Sequence, residues 1–69
     1  MSASVYKKIE IVGTSRASIE EAIESAIARA SSTVKNLRWF EVAETRGRIE
    51  KDGSVEYQVT VKIGFALED

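Results

Sequence analysis

Trp39 stands beside Phe40 in the stretch LRWFEV, residues 37–42, of a chain with one Trp, two Tyr and two Phe. In a β-strand, adjacent side chains point to opposite faces, so one ring enters the core and the other looks out. An outward indole offers a broad flat face that stacks on other rings at little entropic cost. The bland alternative is a tryptophan that caps an edge of the core. Gln58 supplies a second kind of chemistry. Its amide presents a donor and an acceptor in one plane, which suits the edge of a heterocycle with adjacent carbonyl and N–H groups; otherwise it is a solvated strand residue. Arg46 and Arg48 bracket Gly47 and could engage a phosphate bidentately, although such charges are usually solvated. Gly13-Thr14-Ser15, ahead of a helix, has the look of an anion nest, but glycine and hydroxyls are needed there for capping in any case.

Other chemistry is excluded by what the chain lacks. It has no histidine and no cysteine, so the usual general bases, nucleophiles and zinc ligands are missing and disulfides are impossible. No phosphate-loop or dinucleotide fingerprint occurs. An enzyme is the least supported class. The net charge is −1 and the sequence pI is about 5.4. A nucleic-acid module normally carries a basic excess or stripe. No apolar run approaches the roughly 20 residues that span a bilayer. The opening MSASVYKK lacks the apolar centre of a signal peptide, and a cytoplasmic protein is expected.

The candidate residues must be held by a few elements. VYKKIEIV, residues 5–12, alternates and predicts a half-buried strand ended by Gly13-Thr14-Ser15. Val5, Lys7, Ile9 and Ile11 share one face; Tyr6, Lys8 and Glu10 share the other. A helix is predicted over 18–34, opened by a Ser18/Glu21 capping box with Glu20 in its first turn. Ile19, Ala22, Ile23, Ala26, Ile27, Ala30 and Val34 form its apolar stripe, and Leu37 closes its end onto the core. Strands are predicted over 38–50 and 55–67, joined by KDGS with the hairpin signal Asp52-Gly53. Strand, helix, strand, strand is an α+β order. It predicts a three-stranded antiparallel sheet wrapped around one helix, in a single domain over 1–69.

A two-residue turn at Asp52-Gly53 would pair Phe40 with Phe65, Val42 with Ile63 and Trp39 with Ala66. Phe40 then faces the helix and Trp39 faces away, with Glu41, Ala43, Gly64 and Ala66 around it. The same register would bury Glu44, Arg46 and Arg48. A β-bulge, or a strong bend past the helix edge, is therefore predicted within 43–48, with Gly47 as its expected site.

The chain has 69 residues, 43% hydrophobic and 30% charged, which fits one small domain. A domain of this size buries only about 60% of its unfolded surface. With no disulfide or zinc to help, association with further copies is the remaining source of stability.

The stretches KKIEIVGTS at 7–15, ARA at 28–30, LRWFEV at 37–42, RG at 46–47, YQV at 57–59 and GFALED at 64–69 resemble, in order and spacing, the dodecins. The resemblance covers nearly the whole chain. It implies a β-α-β-β subunit assembled into a hollow, spherical homododecamer. It implies flavins bound in pairs between tryptophans of symmetry-related subunits, with Trp39 as that tryptophan and Gln58 at the isoalloxazine edge. Arg46 and Arg48 fall in the segment that influences flavin type, and Arg46-Gly47 looks like the bacterial form, which favours FMN; riboflavin or another flavin is the alternative. The implied role is flavin storage or buffering with photoprotective quenching, without turnover, without nucleic acid and without a membrane. Many bacterial members read G-F-R-L where this chain has Gly64-Phe65-Ala66-Leu67. Ala66 puts in question an anion contact from that position, including the coenzyme A contact of some relatives. Two other readings stay open: a structural homo-oligomeric domain without a chromophore, and a single-strand nucleic-acid module.

Overall fold

The computed structural model describes residues 4–67. Met1–Ala3 of the opening segment and Glu68-Asp69 of the GFALED match lie outside them. The order is β1 (Tyr6–Ser15), α1 (Ile19–Ser31), β2 (Leu37–Ile49) and β3 (Val55–Ala66). The sheet is antiparallel with order β1-β3-β2, so the last strand is central and the expected β-α-β-β architecture holds. Among the described residues no helix is long and apolar enough to cross a membrane.

The helix packs on β1 and β3 and scarcely touches β2. Its inner face is Ala22, Ala26 and Ala30, all buried, with Ile23 and Ile27 at the flanks. Alanine lets the axis come close to the sheet, and Gly13 completes the approach. A Cβ on Gly13 would collide with the Ala22 carbonyl oxygen and crowd the Ala26 Cβ. The core is closed by Val59, Val61 and Ile63 of β3, with Ile9, Ile11 and Leu37 packed against it.

Both helix ends differ from expectation in an instructive way. Ser18 Oγ accepts from the Glu21 N–H at 3.0 Å, so the cap forms. Glu21 does not return the bond to Ser18; its carboxylate accepts from Ser15 Oγ at 2.6 Å. At the far end the helix stops at Ser31 rather than 34. The hydroxyls of Ser31, Ser32 and Thr33 bond back to the carbonyls of Ala28, Arg29 and Ala30. Such side chains compete with the helical backbone ladder. Asn36 then turns the chain with φ 67°, a conformation asparagine tolerates.

β1 runs through Gly13-Thr14-Ser15 instead of ending there, because β3 is long enough to pair them with Val59, Gln58 and Tyr57. They are ladder residues, not an open anion nest. Ser15 Oγ accepts from the N–H groups of Ala17 and Ser18.

The β2–β3 connection is one residue longer than predicted. Glu50 N–H donates to Ser54 O at 2.8 Å and Gly53 N–H to Glu50 O at 2.9 Å. Gly53 has φ 89°, and Asp52 Oδ1 accepts from both the N–H and the hydroxyl of Ser54. This three-residue loop with glycine in the left-handed region is a common hairpin closure. It changes the register. Phe40 pairs with Ile63, Val42 with Val61 and Trp39 with Gly64, not with Phe65, Ile63 and Ala66. The bulge exists, between Val42 and Glu44 rather than at Gly47, which pairs regularly with Tyr57; a second shift lies between Leu37 and Trp39. The first bulge puts Glu44, Arg46 and Arg48 on the outer face, as their charge demands. Phe40 shares the helix-side face with Ile63, yet it is 47% exposed and Val42 46%. Parity aims Phe40 inward, but the helix does not extend over β2.

Candidate functional site

The sheet face away from the helix carries every candidate residue. Along β3 its positions are Glu56, Gln58, Thr60, Lys62, Gly64 and Ala66. Register places Trp39 and Lys8 beside Gly64, Tyr6 beside Ala66, and Arg46 and Thr14 beside Gln58.

At one end the indole of Trp39 lies flat on β3. A Cβ on Gly64 would meet Cη2, Cζ2 and Cε2 of Trp39 almost equally, so the face of the ring, not its edge, covers the glycine. Tyr6 meets the indole in a T-shaped contact with centroids 5.2 Å apart and planes at 74°. Trp39 Nε1–H donates to Glu41 Oε2 at 2.9 Å, and Lys8 Nζ donates to the same carboxylate at 3.1 Å. The indole N–H and then the Lys8 ammonium hold the Glu41 carboxyl below its ordinary pKa. The indole remains 39% exposed. A hydrophobic hollow of about 170 Å³ lies beside the same stretch of β2 on the helix side, lined by Ile27, Leu37, Phe40 and Ile63 among others.

At the other end Arg46 Nε donates to Gln58 Oε1 at 2.8 Å. Gln58 Nε2 donates to Glu56 at 3.1 Å, and Arg46 Nη1 to Glu44 at 3.3 Å. These partners fix which way the Gln58 amide points. Each of its two polar atoms keeps one further bonding position for a ligand. Arg48 does not join them. It turns toward the hairpin and donates to Glu50 at 3.2 Å, an acceptor it shares with Arg16 at 3.4 Å.

The predicted residues thus fall into two groups. Gln58 and Arg46 are in contact; Arg48 lies beyond them; Trp39 stands apart. Gly64 and Gln58 lie six positions apart on β3, about 20 Å of strand. That exceeds the length of a three-ring heterocycle. A flat ligand that touches both groups must draw them from different copies of the chain.

Sequence reasoning missed Tyr6 and Lys8 as neighbours of Trp39. Their outward parity was visible, but nothing local says that β1 lies beside β3 at this height. Glu41 and Gly64 were expected nearby. Their roles as hydrogen-bond acceptor and as seat of the ring depend on the register. Ala66, expected opposite Trp39, instead pairs with Tyr6. Among the described residues no group of three or more Asp, Glu, His or Cys is arranged to hold a metal ion.

Residues 5–68 match the family model for dodecin. A curated dodecin from Thermus thermophilus is 54% identical over 65 residues, 94% of each chain. A T. thermophilus protein of known crystal structure superposes with a TM-score of 0.91 at 52% identity, over 97% of this chain and 98% of that one. A calcium-chelating relative, the calcium dodecin of Mycobacterium tuberculosis, superposes with a TM-score of 0.85 at 34% identity, over 94% and 93% of the two chains. With the β-α-β-β fold and near-complete coverage on both sides, the chain belongs to the dodecin family.

Proposed function

We propose that this protein binds flavins between copies of itself and serves to store and buffer them. The observation that carries the reading is Trp39, laid flat on Gly64 on an uncovered sheet face and still exposed. A ring held this way presents area without further ordering, which favours stacking of a planar partner. Paired flavins between two indoles need a two-fold axis near Trp39, and a symmetric homo-oligomer supplies one. The exposed Phe40 and Val42 give such an assembly apolar surface to bury, and the homododecamer is the form we propose. Gln58, oriented by Arg46, takes the polar edge of the ring from a neighbouring copy, and Arg46 and Arg48 supply nearby positive charge. FMN or riboflavin fits this chemistry; Ala66 offers nothing to a phosphate or to coenzyme A. An indole in van der Waals contact can give an electron to a photoexcited ring and take it back. That exchange quenches the excitation and accounts for a photoprotective role without catalysis.

The test is a titration of riboflavin and FMN fluorescence with purified protein, run beside a sizing column. Strong quenching by a large assembly is expected. Full fluorescence at protein excess overturns the reading and leaves a structural assembly without a chromophore. A calcium site of the kind named for the M. tuberculosis relative has no acidic cluster to support it among the described residues of one chain.

A further inference from the structure

Trp39 is the single tryptophan of the chain, so whatever orients its indole orients the whole stacking surface. Gly64 lies beneath the ring and Tyr6 stands against it. These contacts limit tilt. They are apolar and non-directional, and they leave the ring free to swing within its own plane. Glu41 removes that freedom. It follows Trp39 by two positions on β2 and so shares its face. Its Oε2 accepts from Nε1–H at 2.9 Å, and a hydrogen bond to a charged acceptor is directional and stronger than a neutral one. The carboxylate is itself held. Lys8, reaching from β1, donates to Oε1 at 3.3 Å and Oε2 at 3.1 Å. An exposed ion pair of this kind contributes little stability alone. Here it fixes the place of the atom that fixes the indole.

We propose that Glu41, steadied by Lys8, is the positioning residue of the Trp39 stacking surface. It sets the indole in its binding orientation before any ligand arrives. This inference rests on the reading of Trp39 as a flavin platform. Preorganisation of this kind lowers the ordering cost of association. Glu41 touches no ligand in this scheme and acts only through Trp39.

The charged groups facing Glu41 are Lys8 and Glu10 of β1 and Lys62 of β3, which pairs with both Glu41 and Glu10. The helix lies on the opposite face of the sheet. The Trp39 hydrogen bond, the Lys8 hydrogen bond and the charges of Lys8 and Lys62 all favour the ionised carboxylate, which titrates below its ordinary value of 4.5. A depressed carboxyl pKa means that the charge-assisted contact persists above that value and is lost as pH falls through the lower folded value. The carboxylate is therefore ionised at neutral pH, and acid leaves only a neutral acceptor.

The test reads Trp39 directly, without ligand. Time-resolved fluorescence anisotropy, excited at the red edge to suppress transfer between copies, reports indole motion in wild type, Glu41→Ala and Glu41→Gln. A sizing column checks that the assembly is unchanged. Glu41→Ala is expected to add fast indole motion, and Glu41→Gln, which keeps an acceptor, to remove most of it. Riboflavin, which has no phosphate for Lys8 to attract, should bind Glu41→Ala about tenfold more weakly and the glutamine variant nearly as wild type. Acidification through the depressed Glu41 pKa, which leaves a neutral carbonyl acceptor, should make wild type behave like the glutamine variant and leave the alanine variant unchanged. An indole as immobile in Glu41→Ala as in wild type overturns the proposal, as does a glutamine variant no better than alanine. If wild type binds no riboflavin, the flavin reading falls, and the anisotropy alone still decides whether Glu41 positions the ring.

Discussion

The outer sheet face has two ends, and they are built on opposite principles. Around Trp39 the β3 side chains shrink to Gly64 and Ala66, and a large ring fills the space they leave. Around Gln58 the side chains are long and polar, and Glu44, Arg46, Gln58 and Glu56 are linked in a chain of hydrogen bonds. The first end offers area and little direction. The second offers direction and little area. A planar ligand with a polar edge needs both, and about 20 Å of strand keeps one chain from supplying both to the same molecule. The separation itself argues that the site is completed only by assembly.

That contrast can be broken experimentally. The largest effect is expected from Trp39→Ala, which removes the area. Riboflavin affinity, measured by fluorescence titration, should fall by roughly 1–3 kcal/mol per lost stacking contact, with the assembly intact on a sizing column. An unchanged dissociation constant would sink the stacking role. Next comes Gly64→Val, which leaves the tryptophan but takes its seat. The ring must lift, so affinity should fall by about 1–2 kcal/mol and Trp39 emission should shift; wild-type emission with wild-type affinity would contradict the flat geometry.

Gln58→Leu removes direction only. A loss of roughly 0.5–1.5 kcal/mol is expected, felt by flavins and not by a planar hydrocarbon dye that lacks a polar edge. Mixed assemblies sharpen the point further. Trp39→Ala and Gln58→Leu chains, unfolded and refolded together, should regain a fraction of tight sites, because some sites then draw each residue from the copy that retains it. Affinity no better than that of the better parent would mean that one chain supplies both residues. The smallest effect belongs to Arg48→Ala. Arg48 is itself exposed and its partner is the half-buried carboxylate of Glu50 near the hairpin, and the change in binding or stability should stay under about 1 kcal/mol.

Much of this was legible in the chain. Alternation in β1 and β3 named their faces, the Ala/Ile stripe named the buried side of the helix, and the charge of Glu44, Arg46 and Arg48 demanded a bulge. Local chemistry did not say where the bulge falls. Gly47 was the natural site by composition, yet Ala43 takes it, because the hairpin closes through Glu50 and Ser54 and the core residues Val61 and Ile63 need Val42 and Phe40 beside them on one face. The extra loop residue and the bulge each moved the register by one, and together they carried the partner of Trp39 from Ala66 to Gly64.

By sequence alone, parity determined that Trp39 and Phe40 look opposite ways and that Gln58 shares a face with Thr60, Lys62 and Gly64 along β3, while Arg46, seven positions from Trp39, needed a bulge to reach the face of the indole. Side-chain direction in a strand is a local property with a period of two, so it needs no partner strand to be known. Only the tertiary structure decided that Gly64 lies under the indole, that Tyr6, Lys8 and Glu41 surround it, and that Gln58 stands about 20 Å along β3 from the seat of the ring. Those facts depend on register and strand order, which arise from contacts between residues distant in the chain. Tertiary packing likewise decided that Phe40, aimed inward by parity, stays exposed, since one helix of 13 residues covers two strands and not the third.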